Sequence, residues 1–270
     1  MTAVLFSYLL YVGKLLLLTL GSITVCGLLV RLCALAFARL VGGPSEKIFT
    51  LTALVGTPVH ELGHAMMCPL FGHKIERIKL LDLRATDGVY GYVNHSYPPK
   101  SVWARLGNLF IGVGPIFSGI GVVCLTLWLC FPAQWAGYLA ASRALWDGKA
   151  PLGEMLGSCL DLLLQIPAAV AESPWKSLLG IAVILSVALH ISLSPKDIRS
   201  SLNSLPPFLL LVSVFALVTR ILGLERRMLT VLSLFQLRLL SLFFLVLAFA
   251  LLWVLFALFA RGARALINCF

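Results

Sequence analysis

The stretch LTALVGTPVHELGHAMMCPLFGH, residues 51–73, sets His60, Glu61 and His64 inside an otherwise apolar run. A helix needs about 20 apolar residues to cross a hydrocarbon core of about 30 Å, and this run has that length. Ionisable side chains at such depth cost about 2.5–3.5 kcal/mol each on insertion scales. Three of them so close together require a compensating role: a bound metal, a proton path or a buried polar network.

The rest of the chain supports a membrane reading. Of 270 residues, 60% are hydrophobic and 12% charged, against roughly 25% charged in soluble domains. This composition points to an all-α polytopic membrane protein. The net charge is +10, but the basic residues are scattered singly over loops and helix ends. No aromatic-interleaved basic patch is present, so nucleic acid is not an expected partner. The charge reads as topology information and as contact with anionic headgroups of the lipid bilayer. Seven cysteines form no C-x-x-C pair. Most sit in or beside apolar segments, with Cys159 and Cys269 in more polar surroundings. Neither a disulfide framework nor a thiolate zinc site is suggested. The N-terminal apolar run has no charged region ahead of it and reads as a retained span.

Six spans are expected, at about 3–40, 48–71, 106–131, 175–193, 205–222 and 239–260. Lys14, Arg31 and Arg39 interrupt the first, which is either one long tilted helix or two shorter pieces. Thr57-Pro58 is expected to loosen the second. Between the second and third, IERIKLLDL and DGVYGYV flank an Asp87-Gly88 turn signal, which predicts a small β-hairpin element at the membrane surface. The connection 132–173 reads as amphipathic stretches lying along the opposite face. With six spans, the connections 73–105 and 194–204 share one face with both termini. Basic residues favour the cytoplasm for that face. The chain reads as one integral membrane domain, 1–270. Its core is 48–197, and two further spans lie within 205–260.

His60-Glu61-Leu62-Gly63-His64 is an H-E-x-x-H sequence. On a helix, residues four apart stack on one face, so both imidazoles reach one ion. Zinc takes such imidazoles at about 2.0–2.1 Å and keeps an open position for water in catalytic sites. Glu61 then stands beside that water as general base. A third ligand must come from elsewhere. In LHISLSPKDIRSS, residues 189–201, Asp197 is the preferred ligand and His190 the alternative. The bland readings are a loop or helix-capping carboxylate for Asp197 and a satisfied interhelical histidine for His190. His73 and His95 read as solvated or β-element residues. Asn108 is either a donor to a peptide carbonyl or oxyanion, or a helix cap. Gly112-Val113-Gly114-Pro115 either packs helices together or lines a groove.

These residues resemble the site-2 protease family of intramembrane zinc metalloproteases. PVHELGHAMMCPLFGHKI, GYVNHSYPPKSVWARLGNLFIGVGP and SLSPKDI carry the likeness, closest to a compact bacterial branch, over about residues 57–197. The resemblance implies one Zn2+ per chain on His60, His64 and an aspartate, with Glu61 as base. It implies a membrane-embedded protein or peptide as substrate, and a bacterial cytoplasmic membrane with the site toward the cytoplasm. One departure concerns the third ligand: the family commonly sets its aspartate before a glycine, whereas Asp197 precedes Ile198. An extended substrate segment is expected to pair with the edge of the β-element. Helical substrates must first unwind, which favours Gly, Pro or Asn in their spans. The rival readings are a zinc or proton transporter using the same histidines, and a catalytically silent pseudoprotease that binds partner helices. Few other ionisable groups lie in the spans, which counts against a transport path, and the intact motif counts against the silent form.

Overall fold

The computed structural model describes residues 2–84 and 89–267. Apolar runs become helices almost throughout. In chain order, α1 (Thr2–Leu16) continues through a π-helical turn (Leu17–Gly21) into α2 (Ser22–Val41), followed by α3 (Ser45–Leu70). Strands β1 (Lys74–Lys79) and β2 (Tyr92–Ser96) come next, then α4 (Val102–Cys130), α5 (Pro132–Trp146), α6 (Leu152–Leu164) and α7 (Ile166–Glu172). The chain continues with α8 (Pro174–His190), α9 (Pro195–Leu202), α10 (Leu205–Ile221) and α11 (Glu225–Ile267).

Four stretches are long and apolar enough to cross a membrane: Val4–Val41, Val102–Cys130, Leu152–Glu172 and Glu225–Arg264. A fifth is the pair α8 and α9, bent by 53° at its break. Length and composition therefore return four or five spans rather than six, and the difference has physical causes. The first run, counted once in both, is one continuous rod, because the π turn absorbs an irregularity without ending the helix. α3 has 26 residues, but its polar side chains keep it out of the apolar set. α10 is apolar and has only 17 residues. Leu152–Glu172, expected along the surface, is instead apolar enough to span. α11 has 43 residues, about 65 Å at 1.5 Å per residue, and so exceeds a bilayer core.

β1 and β2 pair antiparallel from Lys79 opposite Tyr92 to Lys74 opposite Ser96, with a bulge between Ile75 and Arg77. The expected β-element is therefore present, while its Asp87-Gly88 turn lies outside the described residues. Cys269 lies outside them too, and Cys159 is buried rather than polar in its surroundings.

The centre of the bundle is α3 packed between α4 and α8. Gly63 and Gly114 make the first contact possible. A Cβ on Gly63 would lie 2.6 Å from the Pro115 backbone, and one on Gly114 would strike the Gly63 carbonyl. Around this centre, Val123, Leu127, Ile184, Leu245 and Val246 form a core with almost no exposure. A second cluster joins α1 to α10 through Tyr11, Leu15, Phe208 and Val212. Outward-facing apolar residues remain uncovered, Phe259 at 77% and Ile221 at 75% exposure among them, as lipid contact would require.

Candidate metal centre

α3 runs unbroken through Pro58, which has no N–H to offer the Leu54 carbonyl. The helix carries His60 and His64 on one face, their Nε2 atoms 3.2 Å apart. Asp197 closes the group. Its Oδ1 lies 3.3 Å from His64 Nε2, and its Oδ2 lies 3.7 Å from His60 Nε2. Ligands about 2.0–2.1 Å from a tetrahedral ion stand roughly 3.3 Å from one another, so these separations fit the edges of such a tetrahedron. These three residues are the group of potential ligands that converges among the described residues.

The tautomers follow from the outer partners. A carbonyl only accepts, so His60 Nδ1–H donates to the His190 carbonyl at 2.8 Å. His64 Nδ1–H likewise donates to the Ile111 carbonyl at 2.7 Å. In neutral rings both Nε2 atoms are then bare lone pairs facing each other and a carboxylate. Such a cluster is stable around a cation, and partners of this kind orient metal-binding histidines.

Both carbonyls are free for the same kind of reason. In α4 the Ile111 carbonyl would accept from residue 115, which is proline and has no N–H. At the end of α8 the His190 carbonyl would accept from Ser194 N–H, but that group donates to Asp197 Oδ2 at 2.8 Å. The break between α8 and α9 is a capping box: the Ser194 hydroxyl accepts from Asp197 N–H at 3.2 Å, and Pro195 takes the first helical position. Asp197 is thus a capping carboxylate and a member of the triad at once. Arg31 of α2 secures the same break by donating to the Leu193 carbonyl at 2.6 Å.

Glu61 is buried and lines a cavity of about 800 Å³ together with the triad. It has no hydrogen-bond partner among the described residues. Backbone passes directly above it at Gly91, where a Cβ would lie 2.8 Å from Glu61 Cγ and 2.7 Å from Thr57 Cγ2. The consecutive residues Val89 to His95 all line the cavity. Side chains of a strand alternate in direction, so a wall of consecutive residues is a strand edge rather than a face.

The remaining candidates separate clearly. His190 lies outside the converging group and serves it through its backbone carbonyl. Its Nδ1–H donates to the Ser186 carbonyl at 3.0 Å. Asn108 is buried within α4 and does not line the cavity. It does not cap α4 either, because Ser101 does, accepting from Ala104 N–H. Gly112 both lines the cavity and packs against α9, where a Cβ would meet Ser201 Oγ and the Asp197 carbonyl oxygen. His73 is not solvated: it is buried at 5% exposure and bonded to His95. Sequence reading named Pro115 and Arg31 without these roles, and did not single out Ser194 or Gly91. Of these, S-x-x-D with proline after the serine was the most legible signal.

No family model, no curated protein and no solved structure matches this chain.

Proposed function

We propose that the chain is an intramembrane zinc metalloprotease of the site-2 type, hydrolysing peptide bonds of membrane-embedded or membrane-proximal substrates. The observation that carries this reading is the convergence of two bare Nε2 atoms and the Asp197 carboxylate, 3.2–3.7 Å apart, in a cavity shared with an unpartnered Glu61. One zinc ion per chain on these three residues would polarise the scissile carbonyl and lower the pKa of a water.

The chain's own residues do the rest. Glu61 takes the proton of the attacking water as its oxygen bonds to the carbonyl carbon. When the carbon–nitrogen bond breaks, Glu61 returns that proton to the leaving amine. The His190 and Ile111 carbonyls hold both imidazoles in the required tautomer throughout. A substrate strand lies along the β2 edge, where backbone hydrogen bonds keep it extended beside Glu61. The apolar helices support placement in a bilayer. The basic residues of 73–105 and 194–204 support a site toward the cytoplasmic side; a bacterial cytoplasmic membrane rests on the family resemblance alone. In that placement α3 and α10 cross together with the longer helices other than Leu152–Glu172, an arrangement that keeps the two connections on one face.

Zinc per chain in the purified protein tests the site, with His60→Ala, Asp197→Ala and His190→Ala alongside. The expected result is near-stoichiometric zinc, lost in the first two variants and retained in the third. Cleavage of a single-span peptide in proteoliposomes tests the reaction. It is expected to require zinc and to vanish in Glu61→Gln. Zinc flux across the same liposomes without cleavage would replace the protease reading with a transporter.

A further inference from the structure

A second pair of histidines, of which His95 lines the same cavity, has no part in the triad. His73 follows α3 and is buried; His95 lies on β2, is half-buried and lines the cavity. His73 Nε2 lies 2.7 Å from the Ala104 carbonyl oxygen, which can only accept, so Nε2 carries the proton. In a neutral ring His73 Nδ1 is then a lone pair. His73 Nδ1 and His95 Nδ1 are 2.9 Å apart, and the proton between them must belong to His95. His95 Nε2 is left bare, with no partner among the described residues. Tyr97 packs against His73 with the ring centroids 4.6 Å apart and the planes tilted by 31°.

We propose that His95 contacts the bound substrate, presenting Nε2 as a hydrogen-bond acceptor to a peptide N–H, with its tautomer set by the buried His73. The identity of the ligand rests on the protease reading; the tautomer does not. Burial first, and then the neighbouring His73, holds the His95 imidazole below its ordinary titration range. It therefore stays neutral near pH 7 and keeps its acceptor. The arrangement follows the logic of a working base oriented by a third group. It also selects for ligands: an acceptor facing the cavity favours a backbone N–H or an amine and disfavours a carbonyl or a carboxylate at that point.

The chain has five histidines, few enough to resolve by nitrogen NMR of 15N-histidine-labelled full-length protein in nanodiscs. Metal-free protein is expected to show His73 protonated at Nε2 and His95 at Nδ1. His95 protonated at Nε2 would overturn the proposal. His73→Leu should release the His95 tautomer into a mixture. His73→Gln should retain it, because an amide can donate to the Ala104 carbonyl and accept from His95. Zinc-loaded protein is then titrated with an acyl-dileucyl hydroxamate. The expected result is a shift of the His95 Nε2 resonance and about tenfold weaker binding in His95→Phe at unchanged zinc content. Hydroxamates N-methylated at each backbone amide in turn should include one that removes this difference. A His95 resonance unmoved at saturation, or zinc lost from His95→Phe, would overturn the proposal. Wild-type protein without zinc would defeat the protease reading instead, and the metal-free tautomers would still decide the His73–His95 arrangement.

Discussion

Two histidine pairs line this molecule's interior with nearly the same geometry and opposite chemistry. The rings of His60 and His64 lie 4.9 Å apart, and those of His73 and His95 lie 4.8 Å apart. Each pair has a short nitrogen–nitrogen contact, 3.2 Å in the first and 2.9 Å in the second. In the first, both rings donate to backbone carbonyls, so no proton remains for the shared contact and a carboxylate faces it. In the second, only one ring donates to a carbonyl, so the other supplies the proton and the pair is complete by itself. The two pairs differ in the number of carbonyls that accept from them, two for His60 and His64 and one for His73 and His95.

That contrast can be broken at graded strength. Asp197→Ala should have the largest effect, removing bound zinc and all cleavage, read by metal analysis and a peptide assay. Glu61→Gln should keep zinc while lowering turnover about 10²–10⁴-fold, the range of a lost general base. Pro115→Ala restores an N–H that competes for the Ile111 carbonyl. Zinc affinity should fall roughly 10–100-fold, as for other outer partners of metal ligands, in a chelator competition. Ser194→Ala removes half of the capping box, about 0.5–2 kcal/mol, and should appear as a lowered melting temperature with weaker zinc binding. The smallest effect concerns the second pair. The folded-state pKa of His95 is depressed, so its contribution is present above its unfolded value of about 6.5 and is lost as pH falls below it. Stability should decline on acidification through that window, and His95→Phe should flatten the slope in pH-dependent unfolding.

Sequence reading went furthest where the physics is local. His60 and His64 are one helical turn apart, and the helix alone brings them together. The Ser194–Asp197 box is equally local: Oδ2 of Asp197 caps α9 while Oδ1 faces His64. The N-terminal run is continuous because one π turn is a cheaper defect than a break. The failures are long-range. Which face of β2 carries His95 depends on the bulge between Ile75 and Arg77, and no spacing rule reports it. The Ile111 carbonyl is vacant because of Pro115, but its occupant comes from another helix. Arg31 serves the break between α8 and α9 across 162 residues. Leu152–Glu172 reads as amphipathic from its few acids, yet its mean composition remains apolar enough to span.

The break between α8 and α9 also has a meaning in time. His60 must wait 130 residues for the carbonyl that orients it, and Asp197 arrives later still. At synthesis rates of about 5–20 residues per second, that interval is roughly 6–26 s. During it the H-E-x-x-H helix is already made, yet it has neither the carboxylate that will face its two histidines nor the outer partner of the first. A half-made chain therefore carries the motif without the assembled cluster.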